Sequence, residues 1–312
     1  MAFGKKQASE NGWTAVVFGA DRVVVASVVP QRDGPPQVRA CDSFARDGSD
    51  LDALKRLKST RHLAHARCTT LLWHGQYQLL QIDAPDNARD LPREELREAL
   101  RWRIKEMVDY PVENAGVDVI DIPAPGSRNA QMWVVVASHD VLVPRVHLFQ
   151  DAKVSLEAID IPELAQRNLA SLFEEPNRGL ALAAFDEKGG RLTISYQGEL
   201  FMTRHIDVGA RELVGAQAES LHERVLLDIQ RSLDNFDRNY SAIPLTRLMI
   251  GPLPGGEAFV NYLGMNLSLP VGMVNLADVL DIGAVPQLAD SAVQADGWLA
   301  LGAALRDRPG SA

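Results

Sequence analysis

Val16-Val17-Phe18, then Gly19-Ala20-Asp21-Arg22, then Val23-Val24-Val25-Ala26-Ser27-Val28-Val29 reads as strand, tight polar turn and strand. The pattern recurs near the middle of the chain. There the run 180–185 leads through Asp186-Glu187-Lys188-Gly189-Gly190 into the run 191–196. Apolar, β-branched runs broken by Gly/Asp clusters signal hairpins, because these turn residues tolerate the positive φ that tight hairpin turns require. One hairpin opening each half of a 312-residue chain implies a duplicated α/β architecture with a cleft between the halves. The length agrees, since it exceeds one typical domain.

Composition narrows the function classes. Hydrophobic residues at 46% are ample for a core, and 23% charged is ordinary for a globular protein. A net charge of −9 argues against the broad basic face of a nucleic-acid binder. The two cysteines, Cys41 and Cys68, have no motif spacing and read as buried small hydrophobes in a reducing compartment. No apolar run approaches the roughly 18 residues of a membrane span. The start, Met1-Ala2-Phe3-Gly4-Lys5-Lys6-Gln7, has two lysines with no apolar region behind them, so it reads as a tail and not a signal peptide. The expected location is the cytoplasm.

Outward from the first hairpin, 38–44 reads as a third strand and 50–63 as a short amphipathic helix with Leu51, Leu54, Leu57 and Leu63 on one side. Strand 69–73 follows. Residues 76–150 behave as a separate unit: strand 77–82, helix 92–108, strands 117–122 and 132–137, and helix 141–149, a βαββα order. In its first helix Leu96, Leu100, Ile104 and Met107 recur at helical spacing as the buried stripe, and Trp102 falls off that line. Strand 156–161 and helix 163–173 come next. Residues 174–179 break the pattern and mark a boundary between halves, so the expected lobes are 1–175, carrying the insertion 76–150, and 176–312. In the second half, strand 200–206 precedes the longest helix, 219–240, whose apolar face is Leu221, Val225, Ile229, Leu233, Phe236 and Tyr240. Strand 245–250, helix 258–263 and a closing helix 299–305 complete the reading.

Sites of chemistry are sparse. The phosphate loop GxxxxGK[ST], the dinucleotide GxGxxG, the GxSxG elbow and HExxH are all absent from the sequence. Of seven histidines only His62 and His65 have ligand-like spacing, and a pair at i, i+3 without a third ligand reads as surface histidines. The glycine-bearing turns carry more. Backbone N–H groups of a tight strand–turn–strand can cradle phosphates, and an aspartate at its edge can hold a hydrated Mg²⁺. Asp186 with Gly189 and Gly190 fits that description, and it fits an exposed hairpin turn equally well.

Five passages together resemble the actin-like PilM family of type IV pilus assembly proteins, and within it the MshI branch of mannose-sensitive haemagglutinin (MSHA) pili. They are Met1-Ala2-Phe3-Gly4-Lys5-Lys6; Leu91-Pro92-Arg93-Glu94-Glu95-Leu96, running to Trp102; Leu156-Glu157-Ala158-Ile159-Asp160-Ile161-Pro162; Gln230-Arg231-Ser232-Leu233-Asp234-Asn235-Phe236; and Leu301-Gly302-Ala303-Ala304-Leu305-Arg306. The resemblance implies a duplicated, ribonuclease H-like actin fold with a small α+β subdomain inserted in the first lobe. It also implies a cytoplasmic protein peripheral to the inner membrane. Such a protein grips the N-terminal tail of a single-span partner (PilN-like, MshJ in this branch) and connects it to the pilus motor ATPases.

Some members of that family bind ATP in the interlobe cleft, with a first turn of the form Asp-x-Gly-Ser/Thr. Here the matching place is Phe18-Gly19-Ala20-Asp21-Arg22, without the leading acid or the hydroxyl. Asp186, Gly189 and Gly190 would be what remains of the second turn, and Gly251 or Gly255-Gly256 of the adenosine side. Losing the first-turn groups weakens the metal and phosphate positioning on which phosphoryl transfer depends. The expectation is therefore a non-catalytic scaffold with ATP/Mg absent or vestigial. An actin-like ATPase or small-molecule kinase is the alternative, and the cytoplasmic region of a type II secretion L protein, which shares the fold, is a further one. Because extended tails often add to sheet edges, Trp102 and the strand bearing Met132 and Val134 are the expected partner contacts.

Overall fold

The computed structural model describes residues 12–60, 63, 66–85, 88, 90–123, 130–215 and 218–306. His62 and His65, the stretch Met1–Lys6 and the last six residues lie outside them.

The first hairpin forms as read. β1 (Trp13–Phe18) pairs antiparallel with β2 (Arg22–Val29), and β2 pairs with β3 (Gln37–Ala45). After α1 (Asp50–Thr60), β4 (Cys68–Leu71) lies parallel to β1. An insertion follows, made of β5 (Gln78–Asp83), α2 (Arg93–Arg103), β6 (Ala115–Ile122) and β7 (Gln131–Ser138), after which α3 (His139–Asp151) returns to pack Phe149 against the first sheet. β8 (Leu156–Asp160) then closes the first sheet parallel to β4, giving the order β3-β2-β1-β4-β8, and α4 (Pro162–Ala170) leads out.

The second half repeats the plan with β9 (Gly179–Phe185), β10 (Gly190–Tyr196) and β11 (Glu199–Ile206) antiparallel. Helices α5 (Ala210–Leu213) and α6 (Ala218–Asn239) precede β12 (Leu245–Ile250), which is parallel to β9. After α7 (Glu257–Asn266), β13 (Val271–Met273) adds parallel to β12, and α8 (Ser291–Ala304) ends the chain's described part. The order β11-β10-β9-β12-β13 is that of the first sheet, element for element.

The central strands are apolar on both faces because both are covered. In β1, Val16 and Phe18 face a core with Leu54 and Phe149 of α1 and α3, while Ala15 and Val17 join the core between the sheets. In β9, Ala181, Ala183 and Phe185 face Val225, Ile229 and Phe236 of α6; Leu180, Leu182 and Ala184 meet the same central core as Val17. Helices α4 and α8 fill that central layer. They cross closely at Gly302, where a Cβ would fall 2.2 Å from the Ala165 carbonyl oxygen, and Asn168 donates to the Gly302 carbonyl at 2.9 Å. α8, part of the second half in sequence, thus rests on the first sheet.

In the insertion, Leu96 and Leu100 of α2 and Ile104 just beyond it pack on Ile82, Val119, Met132, Val134 and Val136 of the sheet β5-β7-β6. The other face carries Trp133 and Ile122 into the core of the second half, where the Trp133 indole N–H donates to the Leu200 carbonyl at 2.9 Å. The insertion therefore touches both halves.

Several expectations are corrected. The helix expected to run to residue 108 ends at Arg103. The chain then turns over Ile104, with the Met107 N–H donating to the Ile104 carbonyl at 2.8 Å, and this carries Met107 out of the stripe to 47% exposure. The last helix begins at Ser291, eight residues before the expected start. It is buried nearly all round, so it lacks the one-sided pattern by which helices are read.

Candidate functional site

A cleft of about 590 Å³ lies between the halves, and both hairpin turns border it. From the first half come Val17, Val24, the turn 19–22 and Trp73; from the second come Ala184, Asp186, Glu187, Lys188, Arg211 and the run Pro252-Leu253-Pro254; α8 supplies Asp296, Trp298, Leu299 and Ala300. Val17 and Val24 are cross-strand partners, so the floor under the first turn is a valine pair.

Each cationic side chain at the mouth has a partner within the protein. The Arg22 guanidinium donates to Ser43 Oγ at 2.6 Å and stands 3.5 Å from the Asp296 carboxylate. The Lys188 ammonium lies 4.8 Å from the centroid of Trp73, whose indole N–H donates to the Phe18 carbonyl at 2.6 Å. Arg211 pairs with Glu187, and Arg191 stands 3.5 Å from Glu163, which also accepts from the Tyr77 hydroxyl at 2.5 Å. Asp186 turns its carboxylate to its own loop, accepting the Lys188 N–H at 2.7 Å. Beside the second turn His205 stacks on His74 with ring centroids 4.2 Å apart, one ring from each half. Burial and the neighbouring His74 hold His205 below the usual histidine range.

The sequence-derived site residues come together only in part. Asp186 lines the cleft. Gly189, at φ +155°, faces elsewhere: a Cβ there would fall 2.8 Å from the His205 ring and 2.9 Å from the Ile206 carbonyl oxygen. Gly190 packs on the Phe185 ring and Gly251 on Ala184, while Gly255 and Gly256 form the turn before α7. The residues that sequence reading missed are Val17, Val24, Trp73 and Trp298. Alternation along β1 places Val17, and not Phe18, on the cleft side, a signal present in the sequence. Trp298 carried none.

The expectation that Met132 and Val134 lie on an edge strand is corrected. β7 is the central strand of its sheet, paired with β5 on one side and β6 on the other, so it offers no edge. Met132 and Val134 are buried under α2, at 1% and 0% exposure. Trp102, on the outer side of α2, is 62% exposed, with the Lys105 ammonium 5.3 Å from its ring centroid.

Two five-stranded sheets of identical order, helices between them and a cleft under paired hairpin turns define the two-lobed actin-like fold. The structure is similar to that of the PilM-PilN type IV pilus biogenesis complex, with a TM-score of 0.73 and 17% sequence identity over 96% of this chain and 99% of that one. It is also similar to a protein of Bacteroides thetaiotaomicron VPI-5482 with an actin-like ATPase fold and unknown function, at TM-score 0.50 and 13% identity over 90% and 97% of the chains. The cytoplasmic domain of EpsL, an inner membrane component of the type II secretion system of Vibrio cholerae, aligns at TM-score 0.46 and 15% identity over 76% and 81%. No protein-family model and no curated protein matches the chain.

An actin-like fold implies a magnesium nucleotide in this cleft, and the residues present do not fit one. Mg²⁺ takes carboxylate and phosphate oxygens in strict geometry. Here Val17 stands opposite Val24 beneath the first turn. Of the acids that line the cleft, Asp186 is engaged in its own turn, Glu187 with Arg211, and Asp296 stands near Arg22, which leaves Asp21 of the first turn. Among the described residues no group of three or more His, Cys, Asp or Glu is placed to share a metal ion. No helix among them is long and apolar enough to cross a membrane.

Proposed function

We propose that this chain is a non-catalytic, actin-like scaffold of type IV pilus assembly, of the MSHA type, held at the cytoplasmic side of the inner membrane by gripping the N-terminal tail of a single-span, PilN- or MshJ-like partner. The observation that carries the reading is the end-to-end similarity to the chain of the PilM-PilN complex, which spans 96% of this chain and 99% of that one. The five resembling passages, spread from residue 1 to residue 306, support it. In this reading residues 1–175 and 176–312 are the two lobes, with the subdomain 76–150 inserted in the first. The motor ATPase is the second partner.

Within the subdomain, Trp102 is the tail's anchor, since a large exposed aromatic is the commonest kind of binding hot spot. A strand-adding tail would use β5 or β6, the edges of that sheet. The test is calorimetry of the full chain with a synthetic peptide of the partner's cytoplasmic tail. One-to-one binding without nucleotide supports the scaffold; absence of binding, with and without Mg-ATP, overturns it.

A further inference from the structure

We infer that the free edge of the second sheet, β13, pairs with the same edge of a second copy of this chain about a two-fold axis. The two halves share one strand order, so β13 holds the place in the second sheet that β8 holds in the first. The duplication supplies its own comparison. β8 carries Glu157 and Asp160, paired with Arg67 and Arg306. The remaining edge strands are charged as well: β3 at Arg39, β11 at Arg204, β5 at Asp83 and β6 at Asp118. Charged side chains guard an edge against pairing with another chain. Val271-Gly272-Met273 has none, and residues 258–277 around it contain no Asp, Glu, Lys, Arg or His.

Hydrogen bonding shows which backbone groups are open. The Leu248 N–H donates to the Pro270 carbonyl at 2.9 Å, and the Val274 N–H to the Ile250 carbonyl at 2.8 Å. Alternation along the strand therefore turns Gly272 to β12, and the N–H and C=O of Val271 and Met273 to the open side. An antiparallel copy centred on Gly272 sets Val271 opposite Met273 of the other copy, each pair exchanging both N–H···O bonds. The two Gly272 residues then face each other between those pairs. Gly272 is exposed, and a Cβ there meets nothing within 4 Å. Beside the edge, Gly264 of α7 lies against Val271, and its neighbour Met265 is 84% exposed. A flexible thioether suits such a contact, because it fills uneven gaps.

Charge selects a second copy as the occupant. At a net charge of −9 two copies repel over most of their surface, and this uncharged strip is where they approach without that cost. It offers no ion pair to a charged partner. The occupant must bring an open, uncharged edge in matching register, which an identical strand does by symmetry.

The edge belongs to the second half and the tail contacts are placed on the inserted subdomain, so neither test bears on the other. The pairing is short, so the expected dimer is weak, with a Kd of about 10–100 µM, read by sedimentation equilibrium of the full chain across that range. Gly272→Lys and Gly272→Glu each set like charges face to face across the axis and should raise the Kd roughly tenfold or more. Mixed together, the two variants should pair at least as tightly as the parent chain. Met265→Asp, on the exposed end of α7, should also weaken pairing and repeats the test should the strand variants misfold. A chain monomeric throughout, a dimer that survives in the folded variants, or a mixture that stays monomeric overturns the assignment.

Discussion

Trp133 and Trp102 lie in the same small subdomain and should respond in opposite ways to mutation. Trp133 is 5% exposed and its indole N–H reaches the Leu200 carbonyl of the other half at 2.9 Å. Phe at this position keeps an aromatic ring and removes the donor. A buried carbonyl that loses its donor costs about 1–3 kcal/mol, more than the net value of an average hydrogen bond. At about 2 °C per kcal/mol for a chain of this size, the melting midpoint should fall by roughly 2–6 °C. The affinity for the partner tail should not change. Trp102→Ala removes a side chain that is 62% exposed. Its effect on stability should stay within about 0.5 kcal/mol, while tail affinity should fall by about 2 kcal/mol, roughly thirtyfold, if it is the anchor. Scanning calorimetry and tail titration on both variants give four numbers. An unchanged midpoint for Trp133→Phe would refute the bridging role drawn from the fold. Unchanged tail affinity in Trp102→Ala would refute the anchor.

Three further outcomes are expected. Asp186→Ala should lose the Lys188 N–H acceptor and cost about 1 kcal/mol, with Mg-ATP titrations of the two proteins giving the same heats; a signal present only with Asp186 would restore the nucleotide reading. Cys41 and Cys68, both pushed up to about 12 by burial, should resist alkylation at pH 8 until denaturant is added, and rapid labelling of the native chain would contradict that. Because His205 sits below its unfolded range, protonation favours the unfolded chain, so its contribution to stability is full above about pH 6.5 and is lost as pH falls through the lower folded value. The groups facing it are His74, Asp207 at 3.1 Å, Arg191 and Asp186. Melting between pH 7.5 and 5 should be less pH-dependent in His205→Gln, and equal slopes would remove the assignment.

The hairpins were legible because their signals are local. A polar turn between two β-branched runs declares itself within fifteen residues, and both formed where read. The α2 stripe of Leu96, Leu100 and Ile104 was legible for the same reason, as helical spacing alone identifies it. Met107 escaped the stripe because the helix ended four residues earlier, at Arg103, and helix ends depend on cap geometry that spacing does not encode. β7 shows a different limit. Its apolar run reads as a strand, but whether a strand is central or an edge depends on which strands come to lie on either side of it.

The sequence by itself determined two sheet-forming halves, a βαββα order of elements between them, and a first turn without the acid and hydroxyl that the family resemblance leads one to expect. Those properties follow from residue types and short-range periodicity. Tertiary structure alone decided that the halves share one strand order, that α8 returns to the first sheet, and that Val17, Val24, Trp73 and Trp298 enclose one cleft. Trp73 and Trp298 stand 225 residues apart and meet only because parallel crossovers and the α4–α8 contact fold the two halves over a common core. Pairings at that separation are set by the burial of whole faces, which no local pattern carries.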